Sequence, residues 1–504
     1  MNFLKRRPFL LGSVLFMMGC ASVGPDFIRP DPPQTKQYTQ GKEVSETRSV
    51  DGVVQRFDTG VSVPENWWRL FNATKLDPII TKALDGNSNL EAAIETLKLS
   101  QENLKAGYGV FYPQVSAGAG ASREKPDTGQ FGSDATPGIF NLISLSGTVN
   151  YALDIFGGQR RAVEGLRAAV DVNRNLVLAA YLTLTGNLVN TIIARAAYQV
   201  EIDSTLEMIR IEKDQVVITN AQVKSGTTPY SDLLSIQSQL FTTEAMLPAL
   251  NQKLNHSDHL LALLSGHAPS DSEPSDIVLS ELTLPEVLPK TLPTLLVRQR
   301  PDILESEAEL HIASANVGVA TAALYPSFSL GGGYGVSKAS GGGVDGPFAS
   351  FWNIGANLTA PIFNGGSLRA ARQSARDAFQ ASLSGYRQTV LNAFSQVADI
   401  LRALEHDAEM LDSEEHALET SREALKLIQD NYAAGTANYL QVLTANSQFY
   451  QANISQVQAV AQRFQDTVAL YLALGGGWQN TDQPLVDHLL DLKQKEKAGL
   501  DIMK

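Results

Sequence analysis

Four stretches of the chain alternate apolar and polar residues with a period of two, which predicts β-strands that differ between their two faces. They form two pairs, at about residues 113–123 and 144–156 and at about residues 326–337 and 350–363. The second stretch shows the pattern most clearly. Its apolar face carries Leu145, Gly147, Val149, Tyr151, Leu153 and Ile155, and its polar face carries Ser146, Thr148, Asn150 and Asp154.

A long helical pattern follows each strand pair. In the second half the apolar positions advance by alternating steps of four and three residues, which predicts coiled-coil packing. This stripe consists of Val390, Phe394, Val397, Leu401, Leu404, Ala408, Leu411, Leu418 and Leu425. No proline interrupts residues 366–432, and at about 1.5 Å per residue such a helix is about 100 Å long. Pro248 predicts a kink in the return helix of the first half only.

The order of strand pair and helical hairpin occurs twice in the chain. Four short segments recur in the same order about 210 residues later, which indicates an internal duplication. The first copies are 109–116, 151–158, 224–227 and 263–266, and the second copies are 322–329, 358–365, 433–436 and 473–476.

This duplication sets the predicted domain boundaries. The first repeat spans 64–270 with its hairpin at about 158–265, the linker spans 271–300, and the second repeat spans 301–478 with its hairpin at about 366–475. We expect residues 20–63 to be an extended tether and residues 479–504 to be a peripheral tail, because both are polar.

The N-terminus predicts export and lipid attachment. Three basic residues, Lys5, Arg6 and Arg7, precede an apolar run that ends just before Cys20, the one cysteine of the chain. This order is typical of a secretory signal, and the run has about half of the ~20 residues that a membrane-spanning helix needs. The site resembles a bacterial lipobox, so we expect a signal peptide at 1–19 and lipid on Cys20. The following residue, Ala21, favours the outer membrane of a Gram-negative bacterium.

Composition narrows the function further. The chain has 504 residues and a net charge of −13, which argues against a nucleic-acid partner. A single cysteine leaves no pair for a disulfide. The His256 and His259 pair has no acidic or cysteine ligand to complete a metal site, and no nucleophile–base arrangement stands out. We therefore predict neither an enzyme nor a cofactor or metal site.

The strands favour a membrane barrel with lipid outside and water inside. An antiparallel sheet over a soluble core gives the same alternation, but the lipid anchor and aromatic residues near the strand ends favour the barrel. Four strands cannot close a barrel, because bacterial barrels begin at about eight strands and an open edge leaves backbone groups unpaired in lipid. Several chains must therefore share one barrel.

Local motifs resemble those of a known family. These motifs are Asn66-Trp67-Trp68-Arg69-Leu70-Phe71, Asp154-Ile155-Phe156-Gly157, Arg300-Pro301-Asp302-Ile303 and Ala473-Leu474-Gly475-Gly476-Gly477-Trp478. Together with the strand pairs and hairpins they resemble the outer-membrane efflux protein family of TolC/OprM-type channels. The lipobox places the chain nearer the lipidated OprM-like branch.

The resemblance implies a mixed α/β membrane protein that forms a homotrimer. Each protomer would give four strands to a twelve-stranded outer-membrane barrel and long coiled-coil helices to a periplasmic α-barrel. Such a channel docks to a periplasmic adaptor (membrane-fusion) protein and an inner-membrane pump, and passively exports drugs, metals or other small solutes. Two alternatives remain open: a type I protein-secretion channel, and a non-conducting coiled-coil envelope lipoprotein.

The resemblance also implies a periplasmic gate at the hairpin turns 226–227 and 435–436. Tyr432 matches the family's gate tyrosine, and Leu440 matches an apolar constriction residue. Gln441 and Thr444 occupy the positions of the family's aspartates. Asp232 is either an acidic ring facing the axis or a cap of its own helix. We expect closure by packing and neutral hydrogen bonds, which contribute about 0.5–1.5 kcal/mol each.

Overall fold

The structure is a computed structural model that describes residues 22–35, 37–41, 45–49, 53–125, 138–271, 275–341, 346–480, 485–487 and 489–490. The predicted signal peptide and Cys20 lie outside these residues. The strands are β1 Arg56–Asp58, β2 Gln114–Glu124, β3 Phe140–Leu153, β4 Val287–Pro289, β5 Ser327–Ser340 and β6 Ala349–Thr359. The helices are α1 Leu76–Gly86, α2 Ser88–Tyr108, α3 Gly158–Lys224, α4 Tyr230–Glu244, α5 Met246–Leu264, α6 Pro293–Leu296, α7 Pro301–Ala322, α8 Ser367–Ala433 and α9 Tyr439–Ala473.

The chain divides into two compact units, and the first contains a four-stranded antiparallel sheet. This unit consists of residues up to Pro30, Leu97–Asn173 and Glu305–Arg387. Its strand order is β2–β3–β5–β6. The central pair joins the two repeats, because β3 pairs with β5 from Asn141 opposite Ser340 to Leu153 opposite Phe328. One sheet therefore forms from both repeats, with β2 and β6 as its two edges.

The register places like residues side by side on each face. Tyr334 lies opposite Trp352 on the apolar face, and Ser116 lies opposite Thr148 on the polar face with their hydroxyl oxygens 2.8 Å apart. Trp352 and Ile354 are 74% and 82% exposed, and both edge strands are exposed along their whole length. No core of described residues covers this sheet, which argues against the soluble-core alternative.

Four strand ends lie three or more residues from the predicted ones. β5 ends at Ser340 rather than at 337, because Ser340 still pairs with Asn141 of β3. β3 begins at Phe140 rather than at 144, because Phe140 still pairs with Glu124 at the end of β2. It ends at Leu153 rather than at 156, because the Asp154 carboxylate turns back to accept hydrogen bonds from the first backbone N–H groups of α3. β6 ends at Thr359 rather than at 363, since Pro361 has no N–H to donate to a ladder.

The second unit contains most of the helical residues and consists of Asp31–Thr96, Arg174–Leu304 and Gln388–Lys504. The helices α3 and α8 are each 67 residues long. The predicted stripe on α8 is buried at Val390, Val397, Leu404, Ala408 and Leu411. Ala393, Ile400 and Asp407 form a second buried row beside it. The prediction placed Phe394 and Leu401 in that row, but both are only half-buried, so these two positions were displaced by one residue.

Among the described helices, α3 alone has the length and composition to cross a membrane, and 67% of its most apolar window is buried within the protein. A buried helix of a helical core has the same composition, so this is weak support for a spanning helix.

The return side of the first hairpin divides at Ala245 into α4 and α5, as Pro248 predicts. Pro248 has no N–H to bond the carbonyl of Glu244, so the helix cannot continue unchanged through this point. The second repeat has no proline here, and α9 runs unbroken from Tyr439 to Ala473.

Two segments expected to be peripheral are packed into the second unit. β1 pairs in parallel with β4, so part of the predicted tether belongs to the fold. In the predicted tail, Leu485, Val486 and Leu489 are buried. Both expectations were wrong in part, because a polar segment can contribute a few buried residues without a recognisable period.

A buried aromatic cluster lies within this unit. Trp67 is fully buried and stacks on Tyr471 of α9 with ring centroids 5.6 Å apart. Phe71 packs against Phe464 at 5.8 Å. The Trp-Trp-Arg-Leu-Phe motif therefore holds the chain before α1 against the end of the second hairpin.

We predict that Trp67→Ala lowers the free energy of unfolding by about 3–5 kcal/mol, because it leaves a large cavity. The matched control is Leu70→Ala in the same turn, where the side chain is 36% exposed and the loss should be much smaller. Denaturant or thermal unfolding of the purified protein measures both, and equal losses would contradict the assignment of Trp67 to the core.

Candidate gate at the helix-hairpin turns

The two hairpin turns have the same backbone design, as the duplication predicts. Each helix is followed by a glycine with positive φ, Gly226 at +76° and Gly435 at +77°, a conformation that glycine adopts without strain. In both turns the next threonine donates its backbone N–H to a carbonyl near the helix end. These bonds are Thr227 to Gln222 at 3.0 Å and Thr436 to Asn431 at 2.9 Å.

Gln222 connects the first turn to the second. Its side-chain Nε2 donates to the hydroxyl of Tyr432 at 3.3 Å, and its Oε1 accepts from the hydroxyl of Thr228 at 3.3 Å. Its backbone carbonyl also accepts hydrogen bonds from the hydroxyls of Ser225 and Thr227. Gln222 thus holds the first turn together and also bonds to Tyr432, at the end of the corresponding helix of the second repeat.

Tyr432, which the family resemblance named as the gate tyrosine, lies at the end of α8. It is half-buried, and its ring packs against Tyr439 of α9 at 5.7 Å between centroids. Burial raises the pKa of Tyr439, and the negative charge of Glu212 adds to the rise. The Tyr439 phenol therefore stays neutral at physiological pH, and its contact with Tyr432 is ring packing.

Asp232 does not cap its helix. The N-cap of α4 is Pro229, and no side chain caps the helix by a hydrogen bond. Asp232 lies within the first turn, half-buried, and accepts a hydrogen bond from the hydroxyl of Ser231 at 3.2 Å. The capping alternative is wrong in its geometry, although an acid in the first turn still interacts favourably with the helix dipole.

Gln441, a predicted gate residue of the second turn, helps to cap the start of α9. Asn438 and Gln441 form a capping box, in which each side chain accepts a hydrogen bond from the other residue's backbone N–H, at 3.0 and 3.1 Å. Leu440 is 65% exposed, and the Thr444 hydroxyl donates to the Leu440 carbonyl at 2.9 Å. Leu440, Gln441 and Thr444 are all exposed, and Leu440 is the apolar one of the three.

Sequence reasoning missed Gln222 and Tyr439 at this site. Gln222 occupies the place in the first repeat that Asn431 occupies in the second, so the internal alignment was the signal that could have found it. The same alignment relates Tyr439 to Tyr230, but Tyr230 is 62% exposed, and only the fold of the second turn brings Tyr439 against Tyr432.

The histidine pair lies elsewhere. His256 borders a groove of about 670 Å³ between α3 and α5, where the Lys253 ammonium lies 5.3 Å from the centre of the Tyr198 ring. Within the described ranges, no three His, Cys, Asp or Glu side chains come close enough together to hold a metal ion.

Comparison with known proteins identifies the fold and the family. The family model described as "Outer membrane efflux protein" matches residues 79–267 and 292–476. The chain belongs to the outer membrane efflux protein family. This confirms the resemblance seen in the sequence, and the two matched segments coincide with the two helical hairpins and their strands.

Relatives in this family are named as outer-membrane proteins. The pyoverdine export outer membrane protein OpmQ of Pseudomonas putida is 30% identical over 425 residues, which cover 83% of this chain and 89% of OpmQ. The probable outer membrane lipoprotein SilC of Salmonella typhimurium is 25% identical over 484 residues, covering 94% of this chain and 99% of SilC.

A solved structure of the family has the same fold. The outer-membrane channel OprN is 26% identical and matches with a TM-score of 0.80, covering 91% of this chain and all of OprN. Long helices with a small antiparallel sheet are therefore the common architecture, as predicted.

We predict that Gln222→Ala destabilises the hairpin turns by about 1 kcal/mol, the net contribution of a hydrogen bond of this kind. The repeat-related variant Asn431→Ala is the matched control, because the described residues make no hydrogen bond to the Asn431 side chain. Hydrogen exchange of the turn amides measures the effect. Equal exchange in the two variants would contradict the connecting role of Gln222.

Proposed function

We propose that the chain is the subunit of a trimeric outer-membrane channel that exports small solutes. Each protomer contributes β2, β3, β5 and β6 to a shared twelve-stranded barrel, and its long helices to a periplasmic tunnel. The channel works passively, together with a periplasmic adaptor and an inner-membrane pump. Its membership of the outer membrane efflux protein family supports this assembly.

The two bare edges of the four-stranded sheet carry this proposal. β2 and β6 are each 11 residues long, and neither has a partner on its outer side among the described strands. Unpaired backbone groups in lipid cost several kcal/mol each, so the edges must be paired in a membrane. Because the sheet is antiparallel throughout, β6 of one copy can pair with β2 of the next, and the ring closes.

The strands have the length and surface that a membrane requires. They are 11 to 14 residues long, and a tilted strand needs about 9–11 residues to cross the hydrocarbon core. The exposed apolar face, with Trp352 and Ile354, would face lipid, and the serine- and asparagine-containing face would line water.

We propose small solutes as the cargo. The relative OpmQ is named for pyoverdine export, and the net charge of −13 argues against nucleic acid as the cargo. The solute itself is selected by the pump, since a passive water-filled lumen makes few specific contacts.

We propose that the hairpin turns close the tunnel, with the Gln222–Tyr432 hydrogen bond as its central contact. Leu440 adds an exposed apolar side chain, and Asp232 adds a negative charge at the first turn. Gln441 and Thr444 contribute through the start of α9, because their side-chain hydrogen bonds stay within that helix turn. Closure is therefore weak, and partner proteins can open it at modest cost.

We predict that the purified full-length protein gives single-channel steps in planar bilayers and that Tyr432→Phe raises its open probability. Loss of the phenol hydroxyl removes the acceptor for Gln222, worth about 0.5–1.5 kcal/mol, or roughly a threefold to tenfold change in the open-to-closed ratio. The matched control is Tyr230→Phe, since Tyr230 is 62% exposed and its hydroxyl makes no hydrogen bond with the described residues.

Absence of any conductance would contradict the channel and favour the envelope-lipoprotein alternative. Conductance with equal open probability in both variants would keep the channel and contradict the gate. The ion selectivity of Asp232→Asn tests the acidic ring separately. Three copies of a negative charge at the tunnel end should favour cations, so the variant should prefer cations less than the wild type does.

We also propose that Cys20 carries lipid and anchors the mature chain, a role that the name of SilC as a lipoprotein supports. We predict that mass spectrometry of the mature N-terminus finds acylated Cys20, and that Cys20→Ala abolishes acylation. An unmodified mature chain that begins at another residue would contradict the proposal.

A further inference from the structure

A pair of buried charged residues lies between the long helices of the second hairpin, away from the gate. Asp407 of α8 is 8% exposed, and it occupies the row in which Ala393 and Ile400 precede it at seven-residue spacing. Arg463 of α9 is 1% exposed. Buried charges on an apolar row are costly, so their retention needs a reason.

Asp407 faces a second acid across the helix pair. The neighbouring acid is Asp466 on α9, which is half-buried and accepts a hydrogen bond from the Gln462 side chain at 2.9 Å. Two ionised carboxylates near each other repel, so Asp466 favours the protonated form of Asp407. The Oδ2 atom of Asp407 is buried and has no hydrogen-bond partner among the described residues, so an ionised Asp407 would leave an unpaired charge inside the protein, and a proton removes that charge.

Burial and the neighbouring acid favour the protonated form of Asp407. Burial raises its pKa most, Asp466 also raises it and the positive charge of Arg463 lowers it, and together they bring the pKa to about 8. The negative charge of Glu415 on α8 favours the charged form of Arg463. With a proton on Asp407, its buried carboxyl group is neutral.

Arg463 links this pair to the N-terminal segment. Its guanidinium donates to Oε1 of Gln55 at 3.1 Å and to the hydroxyl of Thr47 at 3.3 Å. Gln55 is fully buried and also donates to the hydroxyl of Thr467 at 3.3 Å. One salt bridge joins the same segment to α8, between Arg48 and Asp412 at 3.1 Å.

We propose that Asp407, beside Asp466, is a buried proton-binding site, and that its proton keeps α8, α9 and the N-terminal residues 45–49 and 53–58 packed together. Deprotonation leaves an unpaired buried carboxylate near a second acid, which loosens the packing of the two helices and draws Arg463 away from Gln55 and Thr47. The site does not depend on the channel function proposed above, because it stabilises the fold of one protomer.

The direction of the pH effect follows from the raised pKa. A carboxyl group with an ordinary value of 3.8 in the unfolded chain and about 8 in the folded chain binds its proton more tightly when folded. Its stabilising contribution is complete below the unfolded value and is lost as the pH rises through the folded value. The stability should therefore fall from about pH 4 to about pH 8, and the interval from pH 7 to pH 9 covers the end of this loss.

The test compares thermal unfolding midpoints of the full-length protein at pH 7 and pH 9. The wild type should lose stability at pH 9, and Asp407→Asn should remove most of that loss, because the amide is neutral at both pH values. Asp399→Asn is the matched control on α8, since Asp399 is exposed and should retain the wild-type pH dependence. The same fall in the midpoint for wild type and Asp407→Asn would overturn the proposal.

A second measurement covers the case in which Asp407→Asn does not fold. Infrared spectra of wild-type protein labelled with ¹³C-aspartate should show a protonated carboxyl band at pH 7 that disappears by pH 9. Absence of this band at pH 7 would overturn the proposal.

Discussion

Backbone hydrogen bonding at the edges of the four-stranded sheet is the constraint on which the rest of the structure depends. β2 and β6 present 11 residues each without an outer partner among the described strands, and the sheet exposes an apolar face. A sheet with these properties is unfavourable in water, because its apolar face is bare, and in lipid, because its edges are unpaired. Pairing between copies satisfies both conditions, so the sheet of one protomer is a part of a larger closed structure.

Duplication explains how one chain supplies such a sheet and also how its halves differ. The central β3–β5 pair comes from different repeats, so the two strand pairs merge into one sheet. The two hairpin turns keep the same backbone hydrogen bonds while their side chains have diverged. Gln222 bonds across to Tyr432, whereas Asn431 contributes only its backbone carbonyl. The halves therefore share a scaffold, and the contact that connects them comes from one half.

Periodic patterns predicted the strands, the long helices, the duplication and the kink near Pro248, because each of these depends on residues close in sequence. The alternation could not give the strand ends, which depend on Asp154 and Pro361. It also could not find Arg463 beside Gln55 and Thr47, since these groups are about 400 residues apart and meet only in the folded unit. At the gate, Tyr432 followed from family resemblance, and Gln222 required the fold. Asp407 was overlooked because a charged residue on an apolar row looks like a break in the pattern.

The most direct test of the account is covalent capture of the edges in outer membranes. Cysteine pairs, one in β2 and one in β6, would be placed along the two strands and oxidised in intact cells. If β6 of one copy pairs with β2 of the next in a closed ring, oxidation should produce covalent species up to trimers and no larger. Chains that remain monomeric with every pair, or that form an open ladder beyond trimers, would contradict the shared sheet and the channel built on it.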